Sequence, residues 1–131
     1  MVRSITAVVL GFVLIGVLSI GGDLAFRALA PAVWTHGVRM SNPAALVLTE
    51  TYAALFTIFG CWLCARLAPS HPMRHALILG GVSLAFGIAN TIKLWNTAPA
   101  WYHLVALALA MPLAWVGGEI HEIQRARASG R

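Results

Sequence analysis

Charge is what this sequence has least of. Only 10% of its 131 residues are Asp, Glu, Lys or Arg, whereas 60% are apolar. A soluble domain carries about a quarter charged residues, because its surface must be wetted. The shortage argues against a water-soluble globule and leaves just enough charge to mark the ends of membrane spans. Acidic residues are scarcest, with only Asp23, Glu50, Glu119 and Glu122. Cysteine is nearly absent too, and Cys61 and Cys64 alone cannot build a multi-disulfide secreted scaffold. No GxSxG, HExxH, phosphate-cradling glycine loop or pair of catalytic carboxylates occurs. The expectation is therefore a non-enzymatic protein with no cofactor and no metal.

What is present is a chain of long apolar runs, with a mean hydropathy of +0.81. Residues 5–22 contain no charge at all. At about 1.5 Å per residue they cover roughly 27 Å, close to the ~30 Å hydrocarbon core. A secretory signal is the competing reading. Its best cleavage site, Ala28-Leu29-Ala30, lies far past the run and precedes Pro31, so an uncleaved span is expected. A connector over Asp23–Asn42 carries Arg27, Pro31, Trp34, His36 and Arg39. Its first residues, Leu24 to Leu29, are able to extend the helix.

Ser41-Asn42-Pro43 reads as a helix start, with a capping side chain before a proline in the first turn. The remaining spans are expected over 44–66, 73–95 and 100–120, punctuated by Pro69, His71-Pro72 and Pro99, with a polar tail from Glu122. Pro112 should kink the last helix. No linker divides the chain, so residues 1–131 form one all-α domain, an up-down antiparallel four-helix transmembrane bundle.

Loop charge sets the orientation. One end holds Arg3, Arg66, Arg74, Arg125, Arg127 and Arg131, and the other holds Arg27, Arg39 and Lys93. The positive-inside rule then puts both termini in the cytoplasm. Trp34, Trp95, Trp101 and Tyr102 fall at the outer interface, and Trp62 and Trp115 near the inner one. The net charge of +5 is scattered, with no aromatic-interleaved basic stripe, so nucleic acid is not an expected partner.

Several residues carry more specific information. Ala76, Gly80, Ser83, Gly87 and Thr91 place small side chains along one face of the third span. Such a face lets another backbone approach closely, either within the bundle or in a homo-oligomer or a complex with another membrane protein. Glu50 lies about 10 Å down the second span from its outer end. Asp23, Tyr52, Asn90, Lys93 and His103 fall in the same outer third. A carboxylate at that depth needs a cationic partner, a proton or a polar cavity. A Glu50–Lys93 pair, or hydrogen bonds to Asn90 and Tyr52, would lock helices together; otherwise the group forms an outward-facing cavity for a small cation or polar ligand.

Cys61 and Cys64 form a CxxC with both sulfurs on one helical face, a spacing used in thiol–disulfide exchange. Quinone-coupled four-helix oxidoreductases use such pairs but relay electrons through further loop cysteines, which this chain lacks. Small packing residues are the plainer reading. His71 is a candidate cap for the third helix, and His75, one turn on, makes a two-histidine metal site a weak alternative. His121 diverges from the face shared by Glu119 and Glu122, which leaves a Glu122–Arg125 pair at a solvated helix end.

The tract Ala65-Arg66-Leu67-Ala68-Pro69, followed by Pro72 to Leu77 and Leu79-Gly80, joins Pro99-Ala100-Trp101-Tyr102 and Gly117-Gly118 in a recognisable pattern. It resembles a group of short, uncharacterised bacterial four-span inner-membrane proteins. The resemblance covers roughly the C-terminal half and implies four spans in the bacterial inner membrane, without implying an activity. Small multidrug transporters share the size, but their essential carboxylate lies in the first helix, where this chain has none before Asp23. The reading is a bundle that acts by self-association or with a membrane partner, or else a small transporter or ligand-binding protein built around Glu50.

Overall fold

A computed structural model describes residues 2–31 and 42–130. Expectations for Trp34, His36, Arg39 and Ser41 lie outside the described residues. Four helices follow in order: α1 (Val2–Leu29), α2 (Pro43–Leu67), α3 (Pro72–Leu94) and α4 (Ala100–Ser129), with a short 3-10 turn over Trp95–Thr97 before the last. All four are long and apolar enough to cross a membrane. Their outward surfaces are greasy: on α1 alone, Ile5, Val9, Val13, Val17, Ile20 and Leu24 are exposed. Water would penalise that surface, whereas hydrocarbon accepts it, so the chain reads as a multi-pass membrane protein.

Helix starts follow the local sequence. The Asn42 carboxamide oxygen accepts from the backbone N–H groups of Ala44 and Ala45 at 3.0 and 3.3 Å, and Pro43 occupies the first turn, where no donor is needed. His71 does not cap α3 with its side chain. It sits in the left-handed region at φ 46°, and its carbonyl accepts from the Arg74 and His75 amides at 3.0 and 3.4 Å. The Pro69–His71 turn is too short to reverse the chain otherwise.

Two helices outrun their apolar segments. α1 continues past Gly22 to Leu29, since Leu24, Ala25 and Phe26 are adequate helix formers and nothing there breaks the ladder. α4 runs unbroken through Pro112 and through Glu122–Ser129, where a polar tail was expected. Polarity alone does not end a helix, and Glu, Gln, Arg and Ala all favour one.

α1 packs on α2 and α3, while α4 packs on the opposite side of the same pair. Small residues mark the crossings. A Cβ on Gly11 would come within 2.6 Å of the Leu79 side chain and 3.0 Å of the Gly60 carbonyl oxygen. A Cβ on Gly117 would stand 2.6 Å from the Ile58 carbonyl oxygen and 2.8 Å from Cys61 Cβ. Around these points Ala7, Cys61, Cys64, Ala65, Ala76, Leu79 and Ala114 make a sealed core.

The small face of α3 is turned into this bundle. A Cβ at Gly80 would collide with Ala114, a Cβ at Gly87 would meet Leu107 at 3.2 Å, and Ala76 is fully buried. Ser83 and Thr91 are partly buried on the same helix, with the Ser83 hydroxyl oxygen wholly enclosed.

These contacts generate a contrast between glycines. Gly117→Ala pushes a methyl into α2 backbone, which cannot rotate away, and is expected to destabilise the detergent-solubilised protein by roughly 1–3 kcal/mol. Gly16 has nothing within 4 Å of its would-be Cβ. Gly16→Ala should therefore hold or raise the melting temperature, since alanine is the better helix former by about 1 kcal/mol. Thermal unfolding of the two variants in one detergent checks both expectations.

Candidate functional site

The polar residues of interest lie at the end of the bundle away from Arg66 and Arg74. Gly22 sets the geometry there. Having no side chain, it lets the rings of Tyr52 and Phe56 lie on α1, within 3.1 and 3.0 Å of where a Cβ would stand. The Tyr52 hydroxyl then reaches the next residue and donates a hydrogen bond to Asp23 Oδ1. Phe56 steadies the tyrosine ring, with ring centroids 5.7 Å apart.

Glu50 is two residues from Tyr52, so the two side chains leave α2 in different directions. Glu50 is half-buried. Tyr102 of α4 lies at the same end of the bundle, within electrostatic reach of Glu50, Asp23 and Tyr52. Three helices contribute two carboxylates and two phenols to one end. Thr49 is part-buried beside them, its hydroxyl donating to the Ala45 carbonyl at 2.9 Å.

Depth alone had grouped Asn90 and Lys93 with this cluster, but both are exposed on α3. With Lys93 exposed to the outside of the bundle, the Glu50–Lys93 pair is not formed among the described residues. The hydrogen bond expected between Glu50 and Tyr52 is replaced by the Tyr52–Asp23 bond. A vertical ruler along each helix gives height but not azimuth, and α3 turns its last polar residues outward.

His103 is buried, 7% exposed, and stacks on Trp95 at 5.6 Å between ring centroids with planes 17° apart. Its Nε2 has no hydrogen-bond partner among the described residues. Tyr102, next to it, is the residue that depth reasoning passed over. As an aromatic near a span boundary it read as an interfacial anchor, and only tertiary packing shows that it turns inward.

The CxxC lies inside the bundle. Cys61 and Cys64 are free and have no exposed surface. Cys61 packs against Gly117, and Cys64 lies against Gly11 while its Sγ is 3.5 Å from the His75 carbonyl oxygen. Neighbouring helices thus enclose both thiols. His75 likewise points home, its Nδ1 3.1 Å from the His71 carbonyl oxygen. Among the described residues no group of three or more His, Cys, Asp or Glu is placed to hold a metal ion. Glu122 and Arg125 are both exposed on the extension of α4, and Glu119 is half-buried below them.

Comparison with protein-family models, with curated proteins and with solved structures finds no match to this chain.

Two outcomes follow. In a double-mutant cycle, Asp23→Asn and Tyr52→Phe should show a coupling of about 1.5–3 kcal/mol, the range for a hydrogen bond to a charged group. Additive losses in melting measurements would mean that the bond contributes nothing. Maleimide should leave both cysteines unmodified in the folded protein and label both after denaturation, read by intact-mass spectrometry.

Proposed function

We propose that this chain is a non-enzymatic protein of the bacterial inner membrane that binds a small organic cation at its outer end, through Asp23, Glu50, Tyr52 and Tyr102. Both termini face the cytoplasm, an orientation supported by the excess of arginine at the opposite end. The observation that carries the reading is the convergence of two carboxylates and two tyrosines from three helices while the Lys93 amine stays outside. Carboxylates supply charge, and tyrosine faces attract ammonium groups through the ring quadrupole. The Tyr52 hydroxyl, which donates to Asp23, keeps that carboxyl group oriented.

Self-association is favoured by a separate feature. The small residues of α3 are occupied inside the bundle, but Gly21, Ala25 and Ala28 stand exposed on the outer half of α1 at spacings of four and three. A second helix would approach most closely there. Cross-linking through a cysteine placed at Ala25 would capture such a dimer, and exclusive recovery of monomer would discard that reading.

Tetramethylammonium titrated against the purified protein tests the main proposal, with intrinsic tryptophan fluorescence as the readout. A saturable change is expected. Glu50→Gln should weaken the apparent affinity by about tenfold or more, equivalent to ~1.4 kcal/mol, and Lys93→Gln should leave it unchanged. A flat titration, or identical curves for wild type and Glu50→Gln, would reject the cation site.

A further inference from the structure

Toward the arginine-rich end, α2 and α4 leave between them an open lateral groove of about 300 Å³. Leu55, Ile58, Phe59 and Trp62 form one wall, and Ile120 and Gln124 the other. Leu55 to Trp62 spans roughly 10 Å parallel to the helix axis. Leu55 is 60% exposed and Phe59 48%, so the wall faces the surrounding hydrocarbon.

The groove closes on a polar edge. Trp62 Nε1 donates to Gln124 Oε1 at 2.8 Å, and the Trp62 ring stacks on Phe59 with centroids 5.5 Å apart. The Arg66 guanidinium lies over the same indole, 5.3 Å from its centroid. Arg125 follows the lining residue Gln124 on α4 and, like Arg66, lies within electrostatic reach of His121. Glu122 acts on the same imidazole. Two cations against one carboxylate leave the edge net positive.

We propose that this groove seats an anionic phospholipid, its acyl chain along the Leu55–Trp62 wall and its phosphate against Arg66 and Arg125. An aliphatic chain matches the apolar slot, and guanidinium groups match a phosphate in both charge and geometry. The alternatives fit less well. A partner helix needs small residues to come close, and this wall is built of Leu, Phe and Trp. A second copy packed in the same orientation would bring its own arginines against Arg66 and Arg125.

The experiment uses full-length chain that keeps Trp62 as its only tryptophan, through W34F, W95F, W101F and W115F, in vesicles containing acyl-brominated phosphatidylglycerol or phosphatidylcholine. At equal mole fraction the anionic lipid should quench Trp62 about threefold more efficiently or better, as expected for a charge-selected headgroup. R66Q with R125Q should abolish the preference and leave quenching by phosphatidylcholine in place. Native mass spectrometry of the wild-type chain gives a second reading that does not depend on the tryptophan substitutions: retained phosphatidylglycerol should exceed retained phosphatidylcholine and fall in the same double variant. Equal quenching by the two lipids, a preference that survives R66Q/R125Q, or a second copy cross-linked into the groove would overturn the proposal.

Discussion

Close contact between helix backbones is the constraint on which this molecule depends. In hydrocarbon an apolar side chain gains nothing by turning from lipid to protein, so association rests on van der Waals packing at short range. Such packing requires that side chains be missing where helices cross. Gly11 against Gly60, Gly80 against Ala114, and Gly117 against the α2 backbone meet that need at three crossings. The cysteines belong to the same device, being small, apolar and fully enclosed. With the backbones fixed, the ends of the bundle inherit their geometry, and the polar groups fall where the helices put them.

Architecture was legible in the sequence because hydrocarbon imposes a simple rule. Backbone groups that cannot reach water must be paired within the segment, so an uncharged stretch near twenty residues becomes a helix. Asn42-Pro43 marked its start in the same direct way. Ends were harder to place. Loss of hydrophobicity at Gly22 and Ile120 marked where the lipid stops, but α1 and α4 continue because nothing in Leu24–Leu29 or Glu122–Ser129 breaks a helix. His71 illustrates another limit, since no pattern foretells a left-handed residue in front of a proline.

The outer cluster was half legible. Asp23, Tyr52 and Glu50 were found by height along the helices, and height is what a linear sequence records best. Rotation about each helix axis is set by the packing of neighbours. Lys93 and Asn90 share the depth but face outward, and Tyr102 was passed over because its place near a span boundary suited an interfacial anchor equally well. The two ends of the molecule are unlike as a result. One gathers carboxylates and phenols between helices, and the other gathers guanidinium groups along an open groove.

The length of α4 has a mechanical consequence. Thirty residues in one helix reach about 45 Å, while the hydrocarbon occupies only ~30 Å. The surplus carries the helical ladder past the lipid through Glu122–Ser129, on the far side of Pro112 from Tyr102. Proline removes one ladder bond there, so any bending of α4 is concentrated between its Tyr102 end and this extension. Paired reporters at Gln124–Ser129 and ahead of Pro112 would therefore show how far the two halves of this helix turn together.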